Sequence, residues 1–443
     1  MSKRTDFISS IRGEVNKGSG KKGVDNLASD ELGYDLKLEE AVSTGIPILD
    51  FYLGGGLYTG RVYEIFGEES HGKSTLSYHF MSRLEQDWSG ITILAESETA
   101  LDKDRAHLIG ADPDNIITFT PDHVEDCFKM ISKYLKGIRE SQAKLKKKDP
   151  NKNVPTGIFW DTIASAPTST EVEHAEGDGD KWGGGQAEKP RLIREWLRSV
   201  TKVLPKSNAF IVLVNQVYEK TDGYGKQLVS PGGRGIRHHT SARIFVKKGT
   251  SIISEDSRTV GFTVEVRMVK CKQAPTQDKT FKVDLYYSTG YDPLSSITHY
   301  IVDHKLVDVS GNGWITLHIG DEEVKAHGVQ KLTQKMKEDK RIYNALLYKA
   351  AMDIAGQSPV IRRRFYDRLC ELAEQTGSHP PLHEKWDVYA REFKLHMSKN
   401  LKQFVTIEEC LDFVLSHKKK IEKKDFTTTQ RNKFLEEKFT SSK

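Results

Sequence analysis

Short, almost wholly apolar runs alternate with amphipathic stretches through the middle of the chain. The early apolar runs are RVYEIFG, ITILAES, GIFWD and AFIVLVN. Segments with helical periodicity, such as TLSYHFMSRLEQ, separate these runs. Continuous apolar runs of this kind are typical of parallel strands that helices cover on both faces. The pattern predicts an α/β core with a mostly parallel central sheet.

A second group of apolar runs follows without helical segments in between. ARIFVKK, TVEVRMVK and FKVDLYYS are separated by short polar breaks, which indicates strands that extend the sheet beyond its parallel part. After about residue 330 helix-like segments such as YNALLYKAAMDIA replace them. We therefore predict an N-terminal arm at 1–42, an α/β core at 43–330 and a helical region at 331–443. Within the core, the stretch from Lys144 to Asn153 is predicted to be a basic surface loop.

Length and composition are those expected for a soluble protein of two or three domains, since the chain has 443 residues. The longest apolar run, at 209–214, is far shorter than the roughly 20 residues of a membrane-spanning helix, and the polar start MSKRTDF does not resemble a signal peptide. The four cysteines include no CxxC pair, so neither a disulfide framework nor a structural zinc site is expected. We expect a cytoplasmic protein.

Charge is distributed unevenly along the chain. Residues 331–443 carry 24 Lys+Arg against 16 Asp+Glu, a net charge of +8, whereas residues 1–330 have a net charge of −3. This asymmetry fits either a solvated helical surface or a basic appendage for phosphate groups. In the second case, 362–364 (three arginines) and 418–420 (three lysines) are the clusters best suited to DNA. A docking site for a partner protein is the third alternative.

The strongest local motif is GEESHGKST, which matches G-x-x-x-x-G-K-[ST] and lies between a predicted strand and a predicted helix. In such a loop, backbone N–H groups surround the phosphates at the positive end of a helix. Lys73 supplies a positive charge to those phosphates, and the Ser74 hydroxyl can ligate Mg²⁺. The predicted nucleotide-binding residues of this motif are Gly67, Glu68, Glu69, Ser70, His71, Gly72, Lys73, Ser74 and Thr75.

Acidic residues follow two of the other predicted strands. Asp161 ends the run GIFWD, where a Walker B aspartate can reach the Mg²⁺ ion. Glu96 and Glu98 come just after the run ITIL. A carboxylate at the carboxyl edge of a parallel sheet can activate an attacking water molecule, although ordinary surface glutamates remain an alternative at this point.

The order of these motifs resembles the RecA family of DNA strand-exchange ATPases. The resemblance runs from about residue 43 to residue 320. It is carried by 43–75, ESETALD (96–102), GIFWDT (157–162), LVNQ (213–216), PGGRGIRHHTSARI (231–244), VKCK (269–272), YYSTGYDP (286–293) and GNGWITL (311–317). It implies a RecA-type core whose N-terminal arm contacts a neighbouring protomer.

The resemblance also implies roles for individual residues. Glu98 corresponds to the glutamate that activates water, and Gln216 to the glutamine that senses the γ-phosphate and reports to a DNA loop. Lys270 and Lys272 correspond to a lysine pair that reaches the γ-phosphate of the neighbouring protomer. Asp102 and Arg105 are two further nucleotide-binding residues, and Arg105 stands where the family commonly has an aromatic residue beside the adenine.

Two segments resemble the DNA-binding loops of the family, at about 171–190 and 217–235. The first is rich in Gly and acidic residues and is predicted to be a long loop. Aromatic side chains in such loops can insert between bases, while basic side chains and backbone N–H groups hold phosphates. The predicted DNA-binding residues are Trp182, Arg191, Arg198, Lys220, Tyr224, Lys226, Gly232, Gly233, Arg234, Lys247 and Lys248.

The function that this resemblance implies is that of a DNA-dependent ATPase that forms a filament on single-stranded DNA, pairs it with homologous duplex DNA and requires ATP and Mg²⁺. Two alternatives are a hexameric translocase or helicase with the same core, and an ATP-gated DNA-binding regulator without strand exchange. His238, where the bacterial pattern has Phe, and the basic C-terminal end depart from the family. These departures indicate a distant branch of the family, and one interpretation is a bacteriophage-encoded protein that acts in the host cytoplasm. Single-strand-binding or mediator proteins are further partners that the resemblance suggests.

Overall fold

The structure is a computed structural model of the 443-residue chain. It describes residues 40–98, 103–149, 154–176, 188–220, 227–229, 231–379, 381, 383–400, 405–422 and 426–442. The expectations for most of the N-terminal arm, and for Asp102, Trp182, Tyr224 and Lys226, lie outside the described residues. The same is true of the side chain of Lys220.

Alternating strands and helices form the first part of the described chain. In order they are α1 (Pro47–Leu53), β1 (Val62–Gly67), α2 (Lys73–Trp88), β2 (Ile91–Glu96), α3 (Lys103–Ile109), β3 (Ile116–Phe119), α4 (Val124–Lys148), β4 (Thr156–Asp161), α5 (Ser169–Glu176), α6 (Glu188–Val203) and β5 (Ala209–Gln216). A short hairpin, β6 (Tyr218–Lys220) and β7 (Gln227–Val229), follows, and then α7 (Gly233–His239).

Strands dominate the next part, and helices the last. The strands are β8 (Ala242–Ile253), β9 (Thr259–Cys271), β10 (Thr280–Tyr286) and β11 (Gly290–Asp292), followed by α8 (Pro293–Asp303) and the small strands β12 (Asp308–Val309), β13 (Trp314–Ile319) and β14 (Glu322–His327). The helices are α9 (Gly328–Glu338), α10 (Lys340–Gln357), α11 (Pro359–Arg364), α12 (Tyr366–Gln375), α13 (Glu384–Asn400), α14 (Ile407–Ser416), α15 (Lys418–Glu422) and α16 (Thr428–Ser441).

The central sheet has nine strands in the order β11-β10-β9-β8-β1-β5-β4-β2-β3. The six strands from β8 to β3 in this order pair in parallel, and β9, β10 and β11 extend the sheet in antiparallel fashion. This arrangement confirms the predicted α/β fold with a mostly parallel sheet. It also places the carboxyl ends of β1, β2, β4 and β5 along one edge, where ligands bind in open sheets of this type.

Alternate residues of the parallel strands face two different hydrophobic cores, as the two-residue period of a strand requires. Tyr63 and Phe159 belong to the core on the side of α2, while Val62 and Trp160 belong to the core beneath α4 and α6. Both cores contain residues of β1, β2, β4 and β5, so these strands are buried on both faces. This explains why their sequences read as continuous apolar runs.

The first core does not end at the boundary predicted near residue 330. Leu332, Leu346 and Leu369, which lie on α9, α10 and α12, belong to the same core as the sheet. A separate core begins only with Trp386 and joins α13, α14 and α16. The change between cores therefore falls between α12 and α13, because the apolar faces of α9–α12 complete the core of the sheet.

Helices occupy several positions that the sequence analysis assigned to loops. α4 continues through Lys144 to Lys148 because its basic residues are good helix formers, and it stops just before Pro150. α5 takes up the first residues of the predicted loop 171–190. The Thr168 hydroxyl accepts a hydrogen bond from the Glu171 N–H (3.1 Å) and the Glu171 carboxylate accepts one from the Thr168 N–H (2.8 Å), which caps this helix.

The third of these helices, α7, begins inside the predicted loop 217–235. Gly232 and Gly233 have φ values of 90° and 66°, a left-handed conformation that glycine adopts at little cost, and they turn the chain into the helix.

None of the helices within the described ranges is long and apolar enough to cross a membrane.

Candidate nucleotide and DNA site

The loop between β1 and α2 forms a cradle at the positive end of a helix. Gly72 precedes α2 with a φ value of 90°. A Cβ atom at this position would lie 2.6 Å from the Tyr291 hydroxyl oxygen and 2.7 Å from Leu285 Cδ1, so both conformation and space require glycine. The N–H groups of the first turn of α2 are not used within the helix and can bind an anion.

Lys73 lies inside this cradle with only 7% of its surface exposed. Its ammonium group donates a hydrogen bond to the Glu68 carbonyl oxygen at 2.6 Å. Burial lowers the pKa of Lys73, while the nearby carboxylates of Asp161 and Glu98 act in the opposite direction. A buried cation held by a neutral carbonyl gains strongly from an anionic partner, so the arrangement suits a phosphate group.

An open cavity of about 350 Å³ extends from the cradle and is the space available for the rest of a nucleotide. It is lined by Ser70, Gly72, Lys73, Ser74, Thr75, Arg105, Phe262, Leu285 and Tyr287. The guanidinium Nε of Arg105 donates to the Thr75 hydroxyl at 3.1 Å, which fixes this side chain at the cavity.

Three residues of this region were not singled out from the sequence. Tyr287 is 47% exposed, and its ring meets Phe262 edge-on with centroids 6.0 Å apart. Tyr291 donates its hydroxyl to the Gly72 carbonyl at 3.2 Å. These residues lie more than 180 positions after the P-loop and reach it only because β9, β10 and β11 extend the same sheet. Tyr287 and Tyr291 lie in the motif YYSTGYDP, but nothing in that motif shows that they reach the P-loop, which can be recognised only in the fold.

Ser74 and Asp161 meet across the carboxyl edge of the sheet. β2 and β4 are in register so that Glu96 is opposite Asp161, and the Ser74 side chain forms a hydrogen bond with Asp161. Burial raises the pKa of Asp161 to about 6, with the charge of Glu98 also contributing. One carboxylate and one hydroxyl beside a phosphate cradle fit Mg²⁺, which is usually held by one or two carboxylates together with phosphates and water.

Glu98 is held by three donors at one carboxylate oxygen. Its Oε1 accepts hydrogen bonds from the Thr162 hydroxyl (3.0 Å), the Ser165 hydroxyl (2.5 Å) and the Gln216 side-chain amide (2.9 Å). Thr162 and Ser165 follow β4, and Gln216 ends β5. The predicted base and the predicted γ-phosphate sensor are therefore in direct contact. Ser165 was not predicted, since a serine three residues after a strand carries no distinguishing signal.

Lys270 and Lys272 lie together but do not line the cavity of their own P-loop. The Lys272 ammonium group donates to the His238 carbonyl at 2.9 Å, and that of Lys270 donates to the carbonyls of Arg237 and His238. Both carbonyls belong to the last turn of α7. Burial and the neighbouring Lys272 lower the pKa of Lys270 to about 8.

The described part of the predicted DNA-binding surface centres on two packed helices. Arg191 and Arg198 are exposed and lie two turns apart on α6, whose opposite face is buried. A Cβ atom on Gly235 of α7 would lie 2.7 Å from the Arg194 Cβ atom, so glycine lets the helices approach closely. Arg234 is exposed at the start of α7. The structure brings these arginines to neighbouring helices.

Lys247 and Lys248 are exposed on β8, away from α6 and α7. The Lys248 ammonium nitrogen lies 4.7 Å from the centroid of the Phe262 ring, and Lys247 is opposite Glu265 in the register of β8 and β9. Phe262 also lines the nucleotide cavity, so these two lysines lie close to the P-loop rather than to the arginine helices.

The arginine cluster at 362–364 is largely committed to internal contacts. Arg362 forms an ion pair with Asp387 at 2.9 Å, and both side chains are mostly buried. Arg364 donates to the Gly54 carbonyl at 3.2 Å. Two of the three arginines therefore tie helices together, and the expectation that they contact DNA is not supported by their geometry.

Comparisons with known proteins identify the family of the chain. The family model of the RecA N-terminal domain matches residues 7–144 and 152–292. Protein RecA of Thermus aquaticus is 31% identical over 310 residues, which are 69% of this chain and 84% of that protein. Protein RecA of Geobacter metallireducens is 30% identical over 300 residues (67% and 81%), and that of Acholeplasma laidlawii is 28% identical over 335 residues (75% and 92%). The chain belongs to the RecA family.

Proposed function

We propose that this chain is an ATP-dependent recombinase that forms a helical filament on single-stranded DNA and promotes homologous pairing and strand exchange. The observation that carries the proposal is the 2.9 Å hydrogen bond from Gln216 to Glu98. Gln216 is the last residue of β5 and leads into the segment 217–235. A residue at the DNA loop thus touches the carboxylate that would activate water, as a DNA-dependent ATPase requires.

The P-loop residues would hold the nucleotide. The backbone of the loop and Lys73 would bind the β- and γ-phosphates, while Arg105 and Tyr287 would flank the base. Ser74 and Asp161 would hold a Mg²⁺ ion, which would neutralise charge on the phosphates when bound. Glu98 would orient and deprotonate the attacking water, with Thr162, Ser165 and Gln216 fixing its carboxylate.

The DNA-binding roles rest on position and charge. Arg191, Arg198 and Arg234 would bind phosphates of the primary strand, and Lys247 and Lys248 those of a second strand. Gly232 and Gly233 would offer backbone N–H groups to the DNA at the start of α7. The predicted DNA loops, at about 171–190 and 217–235, would bring Trp182 and Tyr224 to the bases, and Lys220 and Lys226 to the phosphates.

Lys270 and Lys272 would complete the site of a neighbouring protomer. They are absent from the lining of their own nucleotide cavity, which supports an action between protomers. A positive charge supplied across an interface stabilises the transition state of phosphoryl transfer in the manner of an arginine finger. ATP hydrolysis would then depend on filament assembly.

Electron microscopy with a non-hydrolysable ATP analogue and single-stranded DNA tests the proposal, followed by a strand-exchange assay with homologous duplex. We expect open helical filaments and joint molecules that require both ATP and homology. Closed rings would instead support the translocase alternative, and filaments without joint molecules would support a DNA-binding regulator. Glu98→Gln, which keeps the size of the side chain, should give filaments that persist after ATP is added.

A further inference from the structure

A buried polar network lies beneath the P-loop, next to Gln216. Asn215, the residue before Gln216 on β5, is fully buried. Its side-chain nitrogen Nδ2 donates to Glu64 Oε1 at 3.0 Å and to the Pro231 carbonyl oxygen at 3.0 Å. One amide group therefore joins the strand that leads to the P-loop with the end of the segment 217–235.

The orientation of the Asn215 amide follows from its neighbours. Both groups that it meets are acceptors, a carboxylate oxygen and a backbone carbonyl, so the atom facing them must be the NH₂ group with its two hydrogens. The Asn215 Oδ1 atom is buried and meets no donor among the described residues. The bridge thus uses both N–H donors of the amide and leaves its acceptor unused. A short side chain with two donors on one nitrogen is needed here, which Asn provides.

The carboxylate of this bridge is itself anchored. Glu64 is fully buried on β1, and its Oε2 accepts a hydrogen bond from the Nε of Arg243 on β8. The Arg243 guanidinium carbon lies 4.5 Å from the centroid of the Phe66 ring, which covers the ion pair. A buried ion pair of this kind holds its members in one geometry, because neither charge can be left without a partner.

The network spans the three strands β8, β1 and β5, which are adjacent in the sheet. Glu64 lies three residues before Gly67 of the P-loop, and Arg243 four residues before Lys247. On the other side, Pro231 comes directly before the Gly232–Gly233 turn that starts α7. The last turn of α7 holds Lys270 and Lys272. The elements proposed to bind nucleotide and DNA thus meet at Asn215.

We propose that Asn215 is a positioning residue, which couples nucleotide binding to DNA binding by tying the DNA loop at Pro231 to the buried Glu64–Arg243 pair under the P-loop. A shift of the loop on DNA binding is passed to Gln216 through the adjoining residue, and so to its contact with Glu98. The inference rests on the proposed ATP- and DNA-binding function, and it adds a residue that touches neither ligand.

Thermodynamic reciprocity supplies a sharp test. The factor by which an ATP analogue tightens DNA binding must equal the factor by which DNA tightens binding of the analogue, and such factors are typically about 5–150. Both are measured on the full chain with Mg²⁺, a labelled oligothymidine and a non-hydrolysable analogue. We expect Asn215→Ala to reduce both factors to about 2 or less, while the affinity for the analogue without DNA changes less than about twofold.

A matched control separates coupling from general stability. Asn344 is also a buried asparagine, but it lies on α10, away from the network. Asn344→Ala should leave both coupling factors unchanged. A purely structural role of Asn215 would lower the fraction of active protein in every titration without changing the factors. Retention of the wild-type coupling factors in Asn215→Ala would overturn the inference.

Asn215→Ser guards against a variant that does not fold. Its hydroxyl has a single hydrogen and a shorter reach, so it cannot bridge two acceptors. If Asn215→Ala is insoluble, Asn215→Ser must show the loss of coupling, and full coupling in it overturns the proposal. The proposed function fails in a different way: the wild-type protein itself would then show no coupling between nucleotide and DNA.

Discussion

At the scale of single residues, two charged side chains of the nucleotide site, Lys73 and Glu98, are oriented by hydrogen bonds to neutral groups. Lys73 is bonded to the Glu68 carbonyl, and Glu98 to two hydroxyls and an amide. These hydrogen-bond partners are neutral, so they orient the two charged groups without forming an ion pair with them. In a partly dehydrated site such charges act more strongly on phosphate and water than they would in bulk solvent.

Lys73→Ala should abolish nucleotide binding, since it removes the cation buried in the cradle. Glu98→Gln should behave differently, with ATP binding retained and DNA-stimulated hydrolysis reduced by about 10²-fold or more, the range typical of a lost general base. Turnover with saturating single-stranded DNA and analogue binding measure the two effects. Glu96→Gln is the matched control, since Glu96 is two residues away. A loss of turnover in that variant alone would place the base at Glu96.

Asp50 should make the stability of the core depend on pH. It lies on α1, its carboxylate accepts hydrogen bonds from Ser43 and Thr44, and burial raises its pKa from 3.8 to about 6. Since the folded state binds this proton more tightly, the contribution is present below pH 3.8 and is lost as pH rises through about 6. The loss is about 3 kcal/mol at most.

Thermal unfolding of Asp50→Asn between pH 4 and pH 7 tests this linkage. The midpoint of the variant, relative to wild type, should rise as pH increases, because only the wild type loses the contribution of the protonated carboxyl. A difference between the two midpoints that does not change with pH would mean that Asp50 has an ordinary pKa in the folded protein.

At the scale of elements, α7 connects the segment 217–235, which is the proposed DNA loop, with the pair Lys270 and Lys272. It begins at the two glycines that end the loop and accepts hydrogen bonds from Lys270 and Lys272 at its carboxyl end, where cations are stabilised by the helix dipole. In the proposed function, a lysine that reaches the nucleotide of a neighbouring protomer would have to leave these carbonyls. The position of α7 would then affect whether the pair is available to the next protomer.

Mixed filaments test this arrangement. Lys270→Ala/Lys272→Ala alone and Lys73→Ala alone should each lack ATPase activity. Combined, they should recover part of it, because an intact P-loop of one variant can meet the intact lysines of the other across an interface. ATP hydrolysis is measured against the mixing ratio, with circular dichroism to verify folding of each variant. Absence of recovery at every ratio would indicate that the lysines act within their own protomer.

The sequence allowed the sheet and the P-loop side of the site to be predicted, for a physical reason. Strands buried on both faces must be apolar throughout, and a phosphate cradle needs glycines at fixed positions. The last residues of α4 and most of α5 were assigned to loops because of their composition, and for α5 that composition outweighed the capping pair Thr168 and Glu171. The contacts of Tyr287, Ser165 and Asn215 could not be predicted, even though the motifs YYSTGYDP and LVNQ include the first and the last, since their neighbours are distant in the chain and meet them only after folding.

At the scale of the whole molecule, the two parts of the C-terminal region have different roles in packing. Helices α9–α12 complete the main core, whereas α13–α16 have a core of their own. The net charge of +8 on residues 331–443 is shared equally, since 377–443 carry +4. A deletion that begins at residue 331 would expose the core of the sheet, so it cannot test DNA binding by the basic helices.

Deletion of residues 377–443 provides that test. The remaining chain should bind ATP analogue and single-stranded DNA, but its affinity for duplex DNA should fall and depend less on salt, because each lost phosphate contact lowers the slope of log K against log[salt] by about 0.9. Because the deletion also removes Asp387, the partner of Arg362, the thermal unfolding midpoints of the deletion variant and the full chain are compared first.

A second test uses the full chain. Replacing the three lysines at 418–420 with Gln should lower the slope of log K against log[salt] by about 3. Replacing the three exposed lysines of α4 (Lys129, Lys133 and Lys136) with Gln makes the same change in charge elsewhere and should have a smaller effect. Equal slopes for the deletion and the full chain would remove α13–α16 from the DNA interface and favour docking of a partner protein there.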